Sequence, residues 1–418
     1  MPVPPVPLEI TEQIIDFVAQ NDTDFATIKT CALVCSTFLH LSRKHAFAAI
    51  VLNDREGPRN APDSRRRCTF SQLQDLLSLR PEVGAHVRYL SYRFTLLDLE
   101  NPLPSDAFAK ISRLQSLTIY TGDELLVRHE FLRNCNTLRL ALLHLLHLPT
   151  LKSLELARIN FVATDMLSCK DLDSLSIQCV SAVGTADVSA CDLPGRPMRL
   201  SKIIANTKSF SMISKLLALQ CANKEPFVDF DYIRNLEMSI KTAEDVQTGH
   251  ALLRRCNYLS SVKVYFETWD AEKEHKFTQF RFAEMLRPSM QTITILSFEM
   301  MYNKDIADFD PLAGLAHELN AMKSVNIIES ITIDVTVHPA GTSCARENEW
   351  KRLDEALGQS GWPRLREVSL KIVLLSCLSF RLNDGLLEAL KELPRTQFCR
   401  LSDSKTVDLK VEVLEERL

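Results

Sequence analysis

Chemistry in a protein needs nucleophiles, acids, bases or metal ligands held at fixed spacing. Cys31 and Cys35 stand four residues apart and His144 and His147 three apart, spacings that put each pair on one face of a helix. A histidine pair so placed can share a metal ion, but no cysteine or carboxylate lies close in sequence to complete the set. The pair therefore reads as half-buried and hydrogen-bonded, and the thiols read as small core residues. None of the 12 cysteines forms a Cys-x-x-Cys pair, and the sequence contains no G-x-S-x-G, G-x-x-x-x-G-K-[ST], H-E-x-x-H or G-x-G-x-x-G. The carboxylates from Glu347 to Glu355 alternate with basic residues, the pattern of a solvated helix face. Glycine is scarce, 11 in 418 residues against an average near ~7%. Tight, glycine-dependent turns of the kind that cradle phosphates are expected to be few. No catalytic residue, cofactor site or metal site is predicted.

Charge narrows the remaining classes. With 49 Lys+Arg against 53 Asp+Glu, the chain carries no basic field to draw it to nucleic acid or anionic lipid. Its longest aliphatic stretch, Leu140 to Leu148, is cut by His144 and His147 and is too short to span a bilayer. The opening MPVPPVPLEI has neither a basic n-region nor an apolar h-region. The cysteines are accordingly expected to be reduced thiols of a cytoplasmic or nuclear protein.

The elements that would position any functional residue begin with helices. Ile10, Ile14, Ile15 and Val18 recur at helical spacing, with Pro7 at the start, where its missing N–H costs nothing. A polar break at Asn21 to Asp24 precedes a second run with Ile28, Cys31, Leu33, Val34 and Cys35, and Ser36 opens a third with Phe38, Leu41 and Phe47. Three short helices make a marginal core, and their apolar positions cover more than one face of each helix. Some of that surface wants a partner, or else caps the core of the rest of the chain.

After residue 70 one pattern, apolar-x-x-apolar-x-apolar, recurs: Val87/Leu90/Tyr92, Leu114/Leu117/Ile119, Leu151/Leu154/Leu156, Leu172/Leu175/Ile177, Ile233/Leu236/Met238, Leu259/Val262/Val264, Met290/Ile293/Ile295, Ile328/Ile331/Ile333 and Leu365/Val368/Leu370. A weaker copy stands at Leu200/Ile203/Ala205. Helical stretches Ser71–Leu79, Ala243–Cys256, Phe280–Leu286 and Trp350–Leu357 fall between copies. Alternation of strand and helix with short turns predicts parallel strands in an α/β architecture, built as an irregular repeat. Leu132-Arg133-Asn134-Cys135-Asn136-Thr137-Leu138 echoes Leu253-Arg254-Arg255-Cys256-Asn257-Tyr258-Leu259. Closed barrels and doubly wound sheets share the alternation and stay open as alternatives. Asn53 to Arg67, polar and ending in three arginines, reads as a solvated linker. The tail from Lys410 reads as a cap of the array.

Two stretches resemble a known family. Val6-Pro7-Leu8-Glu9-Ile10, Ile14-Ile15, Val18, Leu33-Val34-Cys35 and Phe38 resemble the F-box pattern, with Val6 where the family usually has Leu and Phe38 where it often has Trp. Leu73 through Arg80-Pro81 and Val87-Arg88-Tyr89-Leu90 resemble the F-box-like proteins abundant in fungi. The Leu-Arg-x-Cys-Asn-x-Leu copies resemble the end of a leucine-rich-repeat helix. The resemblance implies a three-helix F-box over residues 1–50, a linker over 51–70, and a leucine-rich-repeat-like solenoid, a horseshoe, over 71–418. It also implies the role of substrate receptor in a cullin-RING ubiquitin ligase. Pro7, Ile10, Ile14, Val34, Cys35 and Phe38 would then contact a Skp-type adaptor, and through it a cullin. Residues between the buried strand positions would face a concave side, where Tyr89, Arg93, Tyr120 and Tyr265 are the expected anchors for a target protein. The alternatives are an F-box scaffold that joins no ligase and an α/β enzyme with a dispersed site.

Overall fold

A computed structural model describes residues 6–22, 26–53, 66–94, 106–121, 142–169, 171–182, 196–206, 208–266, 281–303, 311–338, 347–358, 360–376 and 384–417. The first Leu-Arg-x-Cys-Asn-x-Leu copy, Leu132 to Leu138, and most of the expected linker, 54–65, lie outside them. The chain divides into two compact units, Met1–Met198 with Ala218–Val228, and Arg199–Leu217 with Asp229–Leu418.

The first unit opens with three helices, α1 (Leu8–Asn21), α2 (Ala26–Cys31) and α3 (Ser36–Ala46). Ile15, Ile28 and Leu41, one from each, form a separate apolar core on which Val18, Ala19, Cys31, Phe38 and Ala46 pack. So small a core needs help, and charge supplies it: Lys44 of α3 lies 2.9 Å from Glu12 and 3.3 Å from Asp16 of α1, and His45 Nε2 lies 2.7 Å from Asp16. Asp22 secures the entry to α2 by accepting from the Ile28 amide at 2.8 Å.

The strands that follow are β1 (Ala49–Leu52), β2 (Arg66–Cys68), β3 (Tyr89–Phe94), β4 (Ser116–Thr121), β5 (Ser153–Ala157), β6 (Asn160–Phe161), β7 (Ser174–Gln178) and β8 (Ser181–Ala182). In this unit the parallel order is β2-β1-β3-β4-β5-β7, with β6 and β8 as a separate parallel pair. The expected linker is therefore interrupted: residues 51–52 belong to β1, and Arg66 and Arg67 to β2. Helix α4 (Phe70–Leu79) starts with a capping box between Thr69 and Gln72. Its Phe70 meets Phe108 edge to face at 5.3 Å, and Tyr92 stacks beside Phe94 at 4.4 Å. Gly84 is a glycine for space, since a Cβ there would sit 2.2 Å from the Lys110 carbonyl.

The second unit carries β9 (Lys202–Ala205), β10 (Asn235–Ile240), β11 (Ser261–Phe266), β12 (Ile295–Asn303), β13 (Ser330–His338), β14 (Glu367–Ser376) and β15 (Asp408–Arg417), all parallel and paired in chain order. Helices Ala243–Leu253, Phe282–Leu286, Pro311–Met322 and Glu347–Leu357 lie between successive strands. The sheet is open, so a closed barrel is not the architecture. The strand motif is buried where expected, as at Leu236, Met238, Val262 and Val264. One copy was placed out of register. Ile295 is 45% exposed, and the buried set is Ile293, Leu296 and Phe298. Parallel pairing with β11 and β13 sets that alternation, and three aliphatic residues within six positions allow either frame. From Lys410 to Arg417 the tail belongs to β15, the edge strand of this unit, paired with β14.

Buried carboxylates join helices of the second unit. Asp354, 3% exposed, accepts from the Arg400 and Leu401 amides at 3.1 and 2.9 Å, and Glu318 accepts from the Ala283 amide at 2.7 Å. Burial, acting against the backbone hydrogen bonds, pushes the Glu318 carboxyl above its usual range. The scarcity of glycine does not mean a scarcity of left-handed turns. Among the described residues Asn53, Arg158, Cys179, Lys208, Lys224, Arg281 and Ser324 adopt positive φ, as does Gly361. Non-glycine residues carry the steric cost of these corners.

Two outcomes test this account. Asp354→Ala leaves two amides without an acceptor and should destabilise the chain by about 2 kcal/mol, read as a lowered urea midpoint. Hydrogen bonds from His45 and Lys44 outweigh burial and hold the Asp16 carboxyl below its usual range. A depressed folded-state pKa stabilises above the unfolded value and loses that contribution as pH falls through the folded one. Wild type should thus melt above Asp16→Asn at pH 6, and the gap should close as the pH is taken below about 4; a gap independent of pH would refute the clamp.

Candidate functional site

Helix α1 has two faces. Ile15 is turned inward with no exposure, while Ile10, Ile14 and Phe17, spaced as one helical stripe, are 45%, 49% and 67% exposed. Val6 and Leu8 at its start, and Leu33 and Val34 in the turn before α3, are exposed as well. Of the twelve large hydrophobic residues exposed among the described ones, these seven fall within the first 34 residues. Scattered surface apolar residues need no explanation, but a concentration on one small subdomain marks a contact surface.

Of the residues expected to meet an adaptor, Pro7, Ile10, Ile14, Val34 and Cys35 are exposed. Phe38 is half-buried and packs on the Ile15–Ile28–Leu41 core, so it supports the helices from within. Leu8 and Leu33 stand in the F-box-like pattern but not among the expected adaptor contacts, and Phe17 was not singled out from sequence at all. The i, i+4, i+7 spacing of Ile10, Ile14 and Phe17 is the signal that shows Phe17 in the stripe.

Residues between the buried strand positions form a second surface in each unit. In the first, the Tyr89 hydroxyl lies 3.3 Å from Thr118 Oγ1, which donates to Glu155 at 3.1 Å, a polar row across β3, β4 and β5. Arg93 and Tyr120 are register partners beside it. The structure thus brings Tyr89, Arg93 and Tyr120 onto neighbouring strands, while Ser91 and Thr118, expected on the open face, are buried.

Tyr265 belongs to the second unit, in a charged row. Its hydroxyl donates to Glu237 at 3.5 Å, the Lys263 ammonium lies 4.6 Å from its ring, and Lys263 reaches Glu299 at 3.0 Å. Lys202 pairs with Glu237 at 2.7 Å. Burial acts to lower the Lys263 ammonium, yet its bonds to Tyr265 and Glu299 carry it above its ordinary value. Burial raises Asp334 further along the row, with Glu299 and Glu412 adding to the effect against Lys263 and Lys371.

A third group was not anticipated. Arg234 lies 5.8 Å from the Tyr232 ring and 5.5 Å from the Tyr258 ring, and Arg199 lies 5.9 Å over Tyr232. Tyr258 is the second of the two variable residues in the second Leu-Arg-x-Cys-Asn-x-Leu copy. Leu253, Cys256 and Leu259 of that copy are buried.

Two buried thiols are poor nucleophiles. Burial pushes the Cys169 and Cys256 thiols up to about 12, which keeps them protonated and unreactive. His144 keeps a buried Nε2 with no hydrogen-bond partner and His147 is exposed, so they are not the hydrogen-bonded pair their spacing suggested. Among the described residues no group of three His, Cys, Asp or Glu side chains is placed to hold a metal, and no helix is long and apolar enough to cross a membrane. No model of a known protein family matches the chain, and no curated protein matches it.

Proposed function

We propose that this chain is the substrate-recognition subunit of a cullin-RING ubiquitin ligase. In this reading α1 to α3 are an F-box that docks on a Skp-type adaptor, and the parallel strands and helices are a leucine-rich-repeat-like solenoid that holds a target protein. The observation that carries it is the division of labour in the first helices. Ile15, Ile28 and Leu41 suffice for a small core, while Ile10, Ile14, Phe17, Leu33 and Val34 are left in solvent. Apolar side chains in that state gain roughly 25 cal/mol for each Å² that a partner covers. The F-box-like motif stands on the same residues. The sheet faces, with Tyr89, Arg93 and Tyr120 in one unit and Tyr265 in the other, provide the residue types that anchor protein interfaces. Such a receptor acts by proximity and orientation and needs no nucleophile of its own.

The test is co-purification of the full chain with a Skp-type adaptor, with cullin added in a second step. Wild type should capture the adaptor. The double substitution Ile14→Asp/Val34→Asp should reduce capture at least tenfold with an unchanged circular-dichroism melt, because both side chains are already in solvent. Ile15→Ala should instead lower the melt through a core cavity worth about 3 kcal/mol. Failure of wild type to capture the adaptor, or full capture by the double variant, would overturn the reading.

A further inference from the structure

Two histidine rings meet where α3 packs against the turn Pro81–His86, and three arginines lie near enough to act on His86 through their charge. Helix α3 supplies His40 and Arg43, three residues apart and so on one face. The turn supplies His86, and the segments leading into β3 and β4 supply Arg88 and Arg113. The His40 and His86 rings meet edge to face, their centroids 6.2 Å apart at 74°. Arg88 is held in place, since its Nη1 donates to the Ala85 carbonyl at 2.7 Å and lies 3.5 Å from the Arg113 carbonyl. Arg43, His86 and Arg88 are half-buried, and His40 and Arg113 are exposed.

Among the described residues no acid pairs with these groups. Glu82, on the same turn, is turned to Arg80 at 3.9 Å. The charged groups that act on His86 are His40, Arg88, Arg43 and Arg113, all of one sign. Burial and those neighbours hold the His86 imidazole below its usual range, and burial with Arg113 does the same for Arg88. The next residues along the same helix behave differently: Lys44 and His45 each find carboxylates on α1. Half-buried like charges repel with weakened screening, so the cluster is a standing cost to the free protein. A polyoxygen anion removes that cost and accepts hydrogen bonds from guanidinium and imidazole groups together. Three arginines call for more than one negative charge, which favours a phosphate dianion over a carboxylate.

We propose that His40, Arg43, His86, Arg88 and Arg113 form a binding site for a phosphate group, carried by a small phosphate or by a phosphorylated side chain of a partner protein. The site uses none of the exposed apolar residues of α1 and stands independently of adaptor docking.

The full chain, with histidine side chains labelled for NMR and His40 and His86 assigned by single substitution, is titrated at constant ionic strength maintained with chloride. Three ligands are compared: inorganic phosphate, a short phosphoserine peptide and its unphosphorylated twin. The His40 and His86 resonances should move and saturate with a phosphate-bearing ligand, and affinity should fall at least tenfold in Arg113→Gln and in Arg43→Gln. Arg113 is exposed, so its loss should leave the fold intact, which circular dichroism checks. Saturation by inorganic phosphate identifies a small-molecule source, and saturation by the phosphopeptide alone identifies a protein source. Movements that phosphate and chloride cause equally, equal binding of the unphosphorylated peptide, or undiminished affinity in both arginine variants would each overturn the proposal.

Discussion

The carbonyl just ahead of a strand accepts two successive amides from the next strand, and the parallel architecture rests on that contact. In the first unit the Ala48 oxygen takes Arg88 and Tyr89, the Arg88 oxygen takes Gln115 and Ser116, the Gln115 oxygen takes Lys152 and Ser153, and the Lys152 oxygen takes Asp173 and Ser174. In the second, Ser201, Arg234, Ser260, Thr294 and Glu329 repeat the arrangement. Buried backbone groups must be paired, and this pairing starts each strand level with its neighbour. Arg88 and Arg234 reinforce it in the same way, each donating through Nη1 to the carbonyl three residues back at 2.7 Å.

Level strands turn a sequence motif into rows. Leu90, Leu117, Leu154 and Leu175 stand side by side in one unit, and Leu236, Val262, Leu296, Ile331 and Val368 in the other. The same register lines up the intervening residues, so Glu299, Asp334, Lys371 and Glu412 form a charged row although each comes from a different strand. Corners between elements then tolerate irregular loop lengths, and non-glycine residues at positive φ can take them because the ladders on either side hold the chain.

Charge is distributed unevenly over this frame. On α1 and α3 acids and bases compensate for a core of three buried residues, and in the second unit they pair across strands. Among the described residues, those between α3 and the turn at His86 do not pair, and nothing covers the apolar side chains on the outer stripe of α1. The like-charge cluster costs stability to the isolated chain, whereas the apolar stripe is a gain left unrealised until something covers it.

Much of this was legible in the sequence, because strand alternation and helical spacing are local. Leu114/Leu117/Ile119 or Ile328/Ile331/Ile333 reports a buried strand face without knowledge of its neighbours, and Ile10/Ile14 against Ile15 reports a two-faced helix. What sequence could not decide depended on neighbours distant along the chain. The frame at Ile293 is chosen by β11 and β13, and the strands at Ala49–Leu52, Arg66–Cys68 and Asp408–Arg417 exist only because a ladder recruits them. Whether Phe38 faces a partner or the core, and which acids answer which bases, follow from packing. The amino-acid order by itself set the alternating strand and helix elements and the amphipathic first helices; tertiary structure alone brought His40 to His86 and Arg88 to Arg113, since Coulomb and packing forces act through space.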